Sequence, residues 1–86
     1  MLAPVGSEVI EHIRKTVKVF GKEVSYVRLT VAEKQRLTDL VYAYKRKGMK
    51  VAENEINRIA VNLMLEDYSA NGPRSVLARV IEALLA

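Results

Sequence analysis

A chain of 86 residues without a single cysteine has few ways to become stable. Domains of this size bury little surface for their length, so they usually depend on a disulfide, a metal or association with another chain. The lack of cysteine excludes disulfides and thiolate metal sites. The one histidine, His12, has no second imidazole with which to share a metal. We therefore expect a single domain over residues 1–86 that forms a homodimer.

The composition is that of a folded and mildly basic protein. Hydrophobic residues make up 50% of the chain, which is ordinary for a folded domain. A formal net charge of +4 favours a polyanionic partner such as DNA, although charge alone does not establish one. No apolar run approaches the roughly 20 residues that span a bilayer, and the N-terminus lacks the features of a signal peptide. We expect a cytoplasmic protein without membrane association.

The N-terminal extension, residues 1–22, is compatible with two structures. Ser7 can cap a helix over residues 7–20, which would end before Gly21. Residues 16–20 are rich in β-branched side chains, so they can instead form a strand that turns at Gly21. We favour the helix and leave residues 16–20 open. The apolar residues of the helical pattern are Val9, Ile10, Ile13 and Val17.

Residues 24–29 have the composition of a short strand. Alternation places Val27 and Leu29 on one face, and Tyr26 and Arg28 on the other. The backbone groups of a lone strand need a partner, and pairing with the same strand of a second copy would supply one along the shared edge. Val27 and Leu29 would then close a shared core, and the opposite face would point outward.

The rest of the chain predicts three helices. The capping box of Thr30 and Glu33 starts a helix from about residue 31 to residue 47, and Gly48 ends it. A second helix covers about 52–68 and is apolar on most sides, which indicates a central place in an assembly. Ser75 then opens a C-terminal helix within residues 73–86, which either enlarges the core or joins dimers into tetramers. The predicted dimer core comprises Val27, Leu29, Leu37, Leu40, Val41, Tyr44, Ile56, Ile59, Ala60 and Leu63.

Residues 24–68 present these elements in a recognisable order: Tyr-Val-Arg-Leu-Thr at 26–30, an apolar helix, and the run from Lys47 through Gly48 to Ala60. In this order and spacing the chain resembles the MetJ/Arc ribbon-helix-helix superfamily of DNA-binding proteins. The resemblance implies a mostly α fold with one short strand. Two copies would form an antiparallel two-stranded ribbon that enters the major groove. Residues 23–68 would be the core of this fold.

The resemblance also implies which residues contact DNA. Outward-facing strand residues would read base edges, and Arg28 can pair with a guanine. The start of the second helix would direct backbone amides at a phosphate, next to basic residues of the turn. The implied base-contacting residues are Val24, Tyr26 and Arg28. The implied phosphate-contacting residues are Lys47, Lys50, Ala52, Glu53 and Asn54.

We expect a sequence-specific dimeric transcriptional regulator, a repressor that occupies double-stranded DNA. One alternative keeps the fold and makes the chain an antitoxin or a plasmid-partition protein with a protein partner. The other is a helical oligomerisation module that does not bind DNA, in which residues 24–29 are an extended connector. We do not expect an enzyme, a metal or a cofactor, because His12 lacks a triad arrangement and the four glycines are scattered.

Overall fold

The structure is a computed structural model that describes residues 6–86, so the first five residues of the predicted N-terminal extension lie outside the described residues. The described chain folds into helices joined by turns and by one longer irregular segment. Residues 19–30 form that segment, which we call the connector. The helices are α1 (Ser7–Lys18), α2 (Val31–Arg46), α3 (Glu53–Asn71) and α4 (Val76–Leu85), with a short 3-10 helix at Gly72–Arg74.

The predicted strand at residues 24–29 is wrong, because no residue from 6 to 86 belongs to a strand. Strand-forming side chains favour a pleated, half-buried surface, and a strand needs a neighbour for its backbone groups. The connector has neither, since its neighbours in sequence are helices and its residues are all exposed. The predicted fold class and the resemblance to ribbon-helix-helix proteins are wrong for the same reason, because that fold requires a β-ribbon.

Side-chain caps explain where α2 and α4 begin. The Thr30 hydroxyl accepts from the Glu33 N–H at 3.1 Å, and the Glu33 carboxylate accepts from the Thr30 N–H at 2.8 Å. This confirms the predicted capping box. At the start of α4 the Ser75 hydroxyl accepts from the Ala78 N–H at 3.1 Å, as predicted. These bonds satisfy amide groups that the first turn of a helix leaves without partners.

The other two helices begin without a serine or threonine cap. The predicted cap at Ser7 is wrong, because Gly6 occupies the capping position and makes no side-chain bond. The helix itself is confirmed as far as Lys18, which excludes a strand at residues 16–18. At the start of α3, the Ala52 N–H donates to the Glu55 carboxylate at 2.9 Å.

Two glycines with positive φ separate the last three helices. Gly48, with φ of 78°, follows α2 as predicted, and Gly72, with φ of 48°, follows α3. A side chain is strained in either conformation, whereas glycine adopts it freely. The helix α3 is longer than expected, because it continues to Asn71 instead of ending near Tyr68.

The helix α3 lies at the centre of the fold and contacts α1, α2 and α4. Ile13 on α1 is the only large hydrophobic side chain of residues 6–86 that is fully buried, with 6% exposed. The radius of gyration is 14.5 Å, compared with about 12 Å for a compact domain of this length. In the described part of the chain, no helix is long and apolar enough to cross a membrane.

The residues predicted to form a dimer core are not buried within one protomer. Their burial falls into two groups. Half-buried are Leu37, Val41, Ile56 and Leu63. Exposed are Val27, Leu29, Leu40, Tyr44, Ile59 and Ala60.

Candidate nucleic-acid interface

The positive charge of the chain is concentrated in the turn between α2 and α3. Four basic residues and no acidic residue lie in the six positions 45–50. The remaining ten basic residues are balanced by ten acidic residues, so the formal net charge of +4 equals the charge of this turn. We refer to Lys45, Arg46, Lys47 and Lys50 as the basic cluster.

Local structure explains why these cations gather at the end of α2. Lys45 and Arg46 lie in the last turn, where unpaired carbonyl groups give the helix a negative end. Gly48 then reverses the chain, and the Met49 N–H donates to the Tyr44 carbonyl at 3.0 Å. The turn therefore brings Lys50 back towards the cations that precede it.

The basic cluster is exposed and forms no ion pair with any carboxylate of residues 6–86. Its described contacts are with neutral groups. The Lys47 ammonium lies 5.5 Å from the centroid of the Tyr44 ring, and Arg46 Nε lies 3.4 Å from the Tyr42 carbonyl oxygen. The four charges are thus accessible to an anion from outside the chain.

Several other cations are already paired with carboxylates. Arg14 and Lys15 both lie against Glu11 on α1. The hydrogen bond from the Arg14 guanidinium lowers the pKa of the Glu11 carboxyl below its ordinary value. Lys34 on α2 pairs with Glu53 at the start of α3. These pairs leave less free positive charge on the surfaces of α1 and of the α2–α3 contact.

The predicted phosphate site at the start of α3 contains two carboxylates. The Glu55 carboxylate accepts the Ala52 N–H, and the Glu53 carboxylate accepts from Lys34. Negative charge suits the positive end of a helix, but it also opposes an approaching phosphate. Contacts by Ala52, Glu53 and Asn54 remain a prediction. The sequence-based phosphate site did not include Lys45 and Arg46, which directly precede Lys47 and are exposed as it is.

The predicted base-contacting residues all lie on the connector. Val24, Tyr26 and Arg28 are exposed, and the Tyr26 side chain is 93% exposed. Val27, which was expected to face inward, is 78% exposed. The division into an inner and an outer face therefore does not occur within one protomer.

Arg58 is a structural anchor that the sequence did not reveal as one. Its guanidinium, on α3, donates to the Thr16 carbonyl at 3.0 Å, to the Val17 carbonyl at 3.1 Å and to the Val19 carbonyl. These bonds hold the C-terminal end of α1 against α3. No local signal predicts them, because the acceptors lie 39 to 42 positions earlier in the chain.

Comparison with known proteins finds no matching family model, no matching curated protein and no matching solved structure. Within the described residues, no three histidine, aspartate or glutamate side chains lie close enough together to hold a metal ion. The concentration of exposed positive charge makes the basic cluster the candidate site, and charge of this kind attracts anions.

Proposed function

We propose that the protein binds double-stranded DNA in the cytoplasm through phosphate contacts of the basic cluster, and that it regulates transcription by occupying its site. One observation carries the proposal: the whole net charge of +4 lies in an exposed turn whose cations form no ion pair within the described chain. Phosphate contacts supply most of the affinity of a protein for DNA. This proposal uses no ribbon in the major groove.

The salt dependence of binding tests the proposal. Each neutralised phosphate releases counterions and contributes about −0.9 to the slope of log affinity against log salt, so four contacts give about −4 per protomer. We expect fluorescence anisotropy with a labelled duplex to show a slope at least this steep. A flat response would contradict phosphate binding.

A matched pair of variants locates the contacts. The first replaces all four residues of the basic cluster with glutamine. The control replaces four cations elsewhere that form no described ion pair, and it removes the same charge. We expect the first variant to lose most of its affinity and its salt slope, whereas the control keeps both. Equal losses in the two variants would remove the basic cluster from the interface. The control substitutions are Lys18→Gln, Lys22→Gln, Arg36→Gln and Arg79→Gln.

Sequence preference requires base contacts, and Arg28 and Tyr26 are our candidates because both side chains are exposed. We expect Arg28→Ala to reduce the enrichment of preferred duplexes in a binding-site selection, by about 1–3 kcal/mol of discrimination if a guanine contact is lost. The salt slope should change by less than in the cluster variant. If Arg28→Ala selects the same duplexes as strongly as the wild type, then Arg28 does not read bases.

A second candidate function is a helical interaction module that does not bind nucleic acid. The extent of exposed apolar surface on the described helices favours it. The irregular structure of residues 24–29 within the connector also agrees with this alternative. The salt titration separates the two functions, because an interaction module gives no steep slope with DNA.

A further inference from the structure

One side of α3 carries an apolar stripe that is left half exposed. Val61, Met64, Leu65 and Tyr68 follow the i, i+3, i+4, i+7 spacing that places side chains on one face of a helix. Their exposed fractions range from 39% to 52%. The stripe contains no charged residue. We refer to these four residues as the α3 stripe.

The solvent-accessible surface of the chain is larger than that of a compact monomer of the same mass. The protomer exposes 7909 Å², whereas a compact monomer of 9.7 kDa exposes about 5,100 Å². The excess is about 2,800 Å², and obligate homodimers bury about 1,000–2,500 Å² on each protomer. This excess is larger than the upper end of that range, and the exposed connector accounts for part of it, so enough uncovered surface remains for a dimer interface.

We infer that a second copy of this chain packs its own α3 stripe against this one in a symmetric homodimer. In a two-fold interface the same surface meets itself, so like charges there would repel. The α3 stripe avoids this repulsion because all four side chains are uncharged. Its long apolar side chains also gain the most from burial. This inference does not depend on the proposed binding of DNA.

Sedimentation measures the association directly. We expect the wild-type mass to be twice 9.7 kDa in the micromolar range. Leu65→Glu places two carboxylates at the interface, and we expect it to weaken the dimer by about 100-fold or more, because unpaired charges are costly to bury. The matched control is Ala32→Glu, which adds the same charge at an exposed position of α2 and should leave the dimer intact.

Crosslinking tests the α3 stripe without adding a charge. The chain has no cysteine, so Leu65→Cys and Ala32→Cys each carry a single thiol. A disulfide requires the two Cα atoms to come within about 7 Å. Under mild oxidation we expect Leu65→Cys to form a covalent dimer at least about tenfold faster than Ala32→Cys, provided that its stripe faces the partner's.

Two results would overturn the inference. In the first, the wild type sediments with the mass of one protomer up to the high micromolar range, and any partner of the α3 stripe is then a different protein. The interface would lie elsewhere if the wild type is a dimer, Leu65→Glu sediments as the same dimer, and Leu65→Cys crosslinks no faster than Ala32→Cys. One such place is the face of α4 with Val76, Val80 and Leu84. Loss of helix content in Leu65→Glu leaves the crosslinking comparison to decide. Loss of DNA binding alone would contradict the proposed function and would not affect this inference.

Discussion

Arg58 satisfies a helix end that the sequence leaves open. Carbonyl groups in the last turn of a helix have no partners within that helix. In α1 the carbonyls of Thr16 and Val17 accept from the Arg58 guanidinium, and a charged donor forms stronger bonds than a neutral one. With the buried Ile13, this side chain fixes the position of α1 on α3.

We expect Arg58→Gln to loosen α1 while α2, α3 and α4 remain folded. The lost bonds are to a charged donor, so the docking of α1 should weaken by about 1.5–3 kcal/mol. Hydrogen exchange should become faster in α1 and stay unchanged in α2. The control Arg36→Gln removes an arginine that is exposed on α2, and hydrogen exchange in its α1 should be as slow as in the wild type. Unchanged exchange in Arg58→Gln would show that the other contacts of α1, such as the buried Ile13 and the contact of His12 with Glu66, are sufficient to hold the helix.

Glu33 links stability to pH. Its carboxylate accepts the Thr30 N–H, and this hydrogen bond lowers the pKa of Glu33 below the ordinary value of 4.5. A lowered pKa means that the contribution is present above pH 4.5 and is lost as the pH falls through the folded-state pKa.

The corresponding variant is Glu33→Ala. We expect it to unfold at a lower denaturant concentration than the wild type at neutral pH, and the difference should shrink as the pH falls below 4.5. Denaturation curves at several pH values provide the measurement. The matched control is Glu8→Ala, which removes a carboxylate from the first turn of α1, where no capping box is present. A pH-independent difference for Glu33→Ala would contradict a role for its charge.

At the scale of elements, the corner between α3 and α4 is the best-defined junction. Ser75 is fully buried and caps α4, and the Asp67 carboxylate on α3 accepts the Val76 N–H at 2.7 Å. Gly72 provides the backbone conformation that lets the chain turn. Side chains from both helices thus satisfy the open amides at the start of α4.

We expect Ser75→Ala to destabilise this corner. Loss of the cap costs about 0.5–2 kcal/mol, and the buried site leaves no room for water to replace the hydroxyl. Chemical denaturation monitored by circular dichroism measures the loss. Ser69→Ala, at an exposed position of α3, is the control and should change stability little. Equal stability of both variants would show that Asp67 is sufficient to start α4.

The sequence predicted elements whose signals are local. The capping box of Thr30 and Glu33, the stop at Gly48 and the cap at Ser75 each act within a few residues, and these three helix ends were predicted correctly, whereas the cap at Ser7 was not. The strand prediction for residues 24–29 was wrong because strand formation depends on a partner strand, and composition does not show whether one is present. Arg58 was missed for the same reason, since its partners are distant in the chain.

For the candidate site, too, some features could be predicted from the sequence and others could not. The charge of residues 45–50 can be read directly from the sequence, and so can the helical spacing of Val61, Leu65 and Tyr68 of the α3 stripe. What the sequence did not show is that these two surfaces stay uncovered. Exposure depends on how the helices pack, and α4 leaves Val61 and Leu65 half exposed.

At the scale of the whole molecule, stability should depend on protein concentration. The second copy inferred above would supply much of the stability of a chain in which Ile13 is the one buried large hydrophobic residue among those described, because association links folding to mass action. We expect the thermal midpoint of the wild type to rise with concentration, whereas that of Leu65→Glu stays lower and constant. Differential scanning fluorimetry over a wide concentration range is the measurement. A constant wild-type midpoint would mean that the protomer is stable alone.

The connector turns the docking of α1 into an intramolecular event. Twelve residues reach about 40 Å when extended, which matches the 41 Å longest extent of the chain. A tether of this length holds α1 near α3 at an effective concentration of the order of millimolar. The few contacts of Ile13 and Arg58 are therefore sufficient to keep α1 in place.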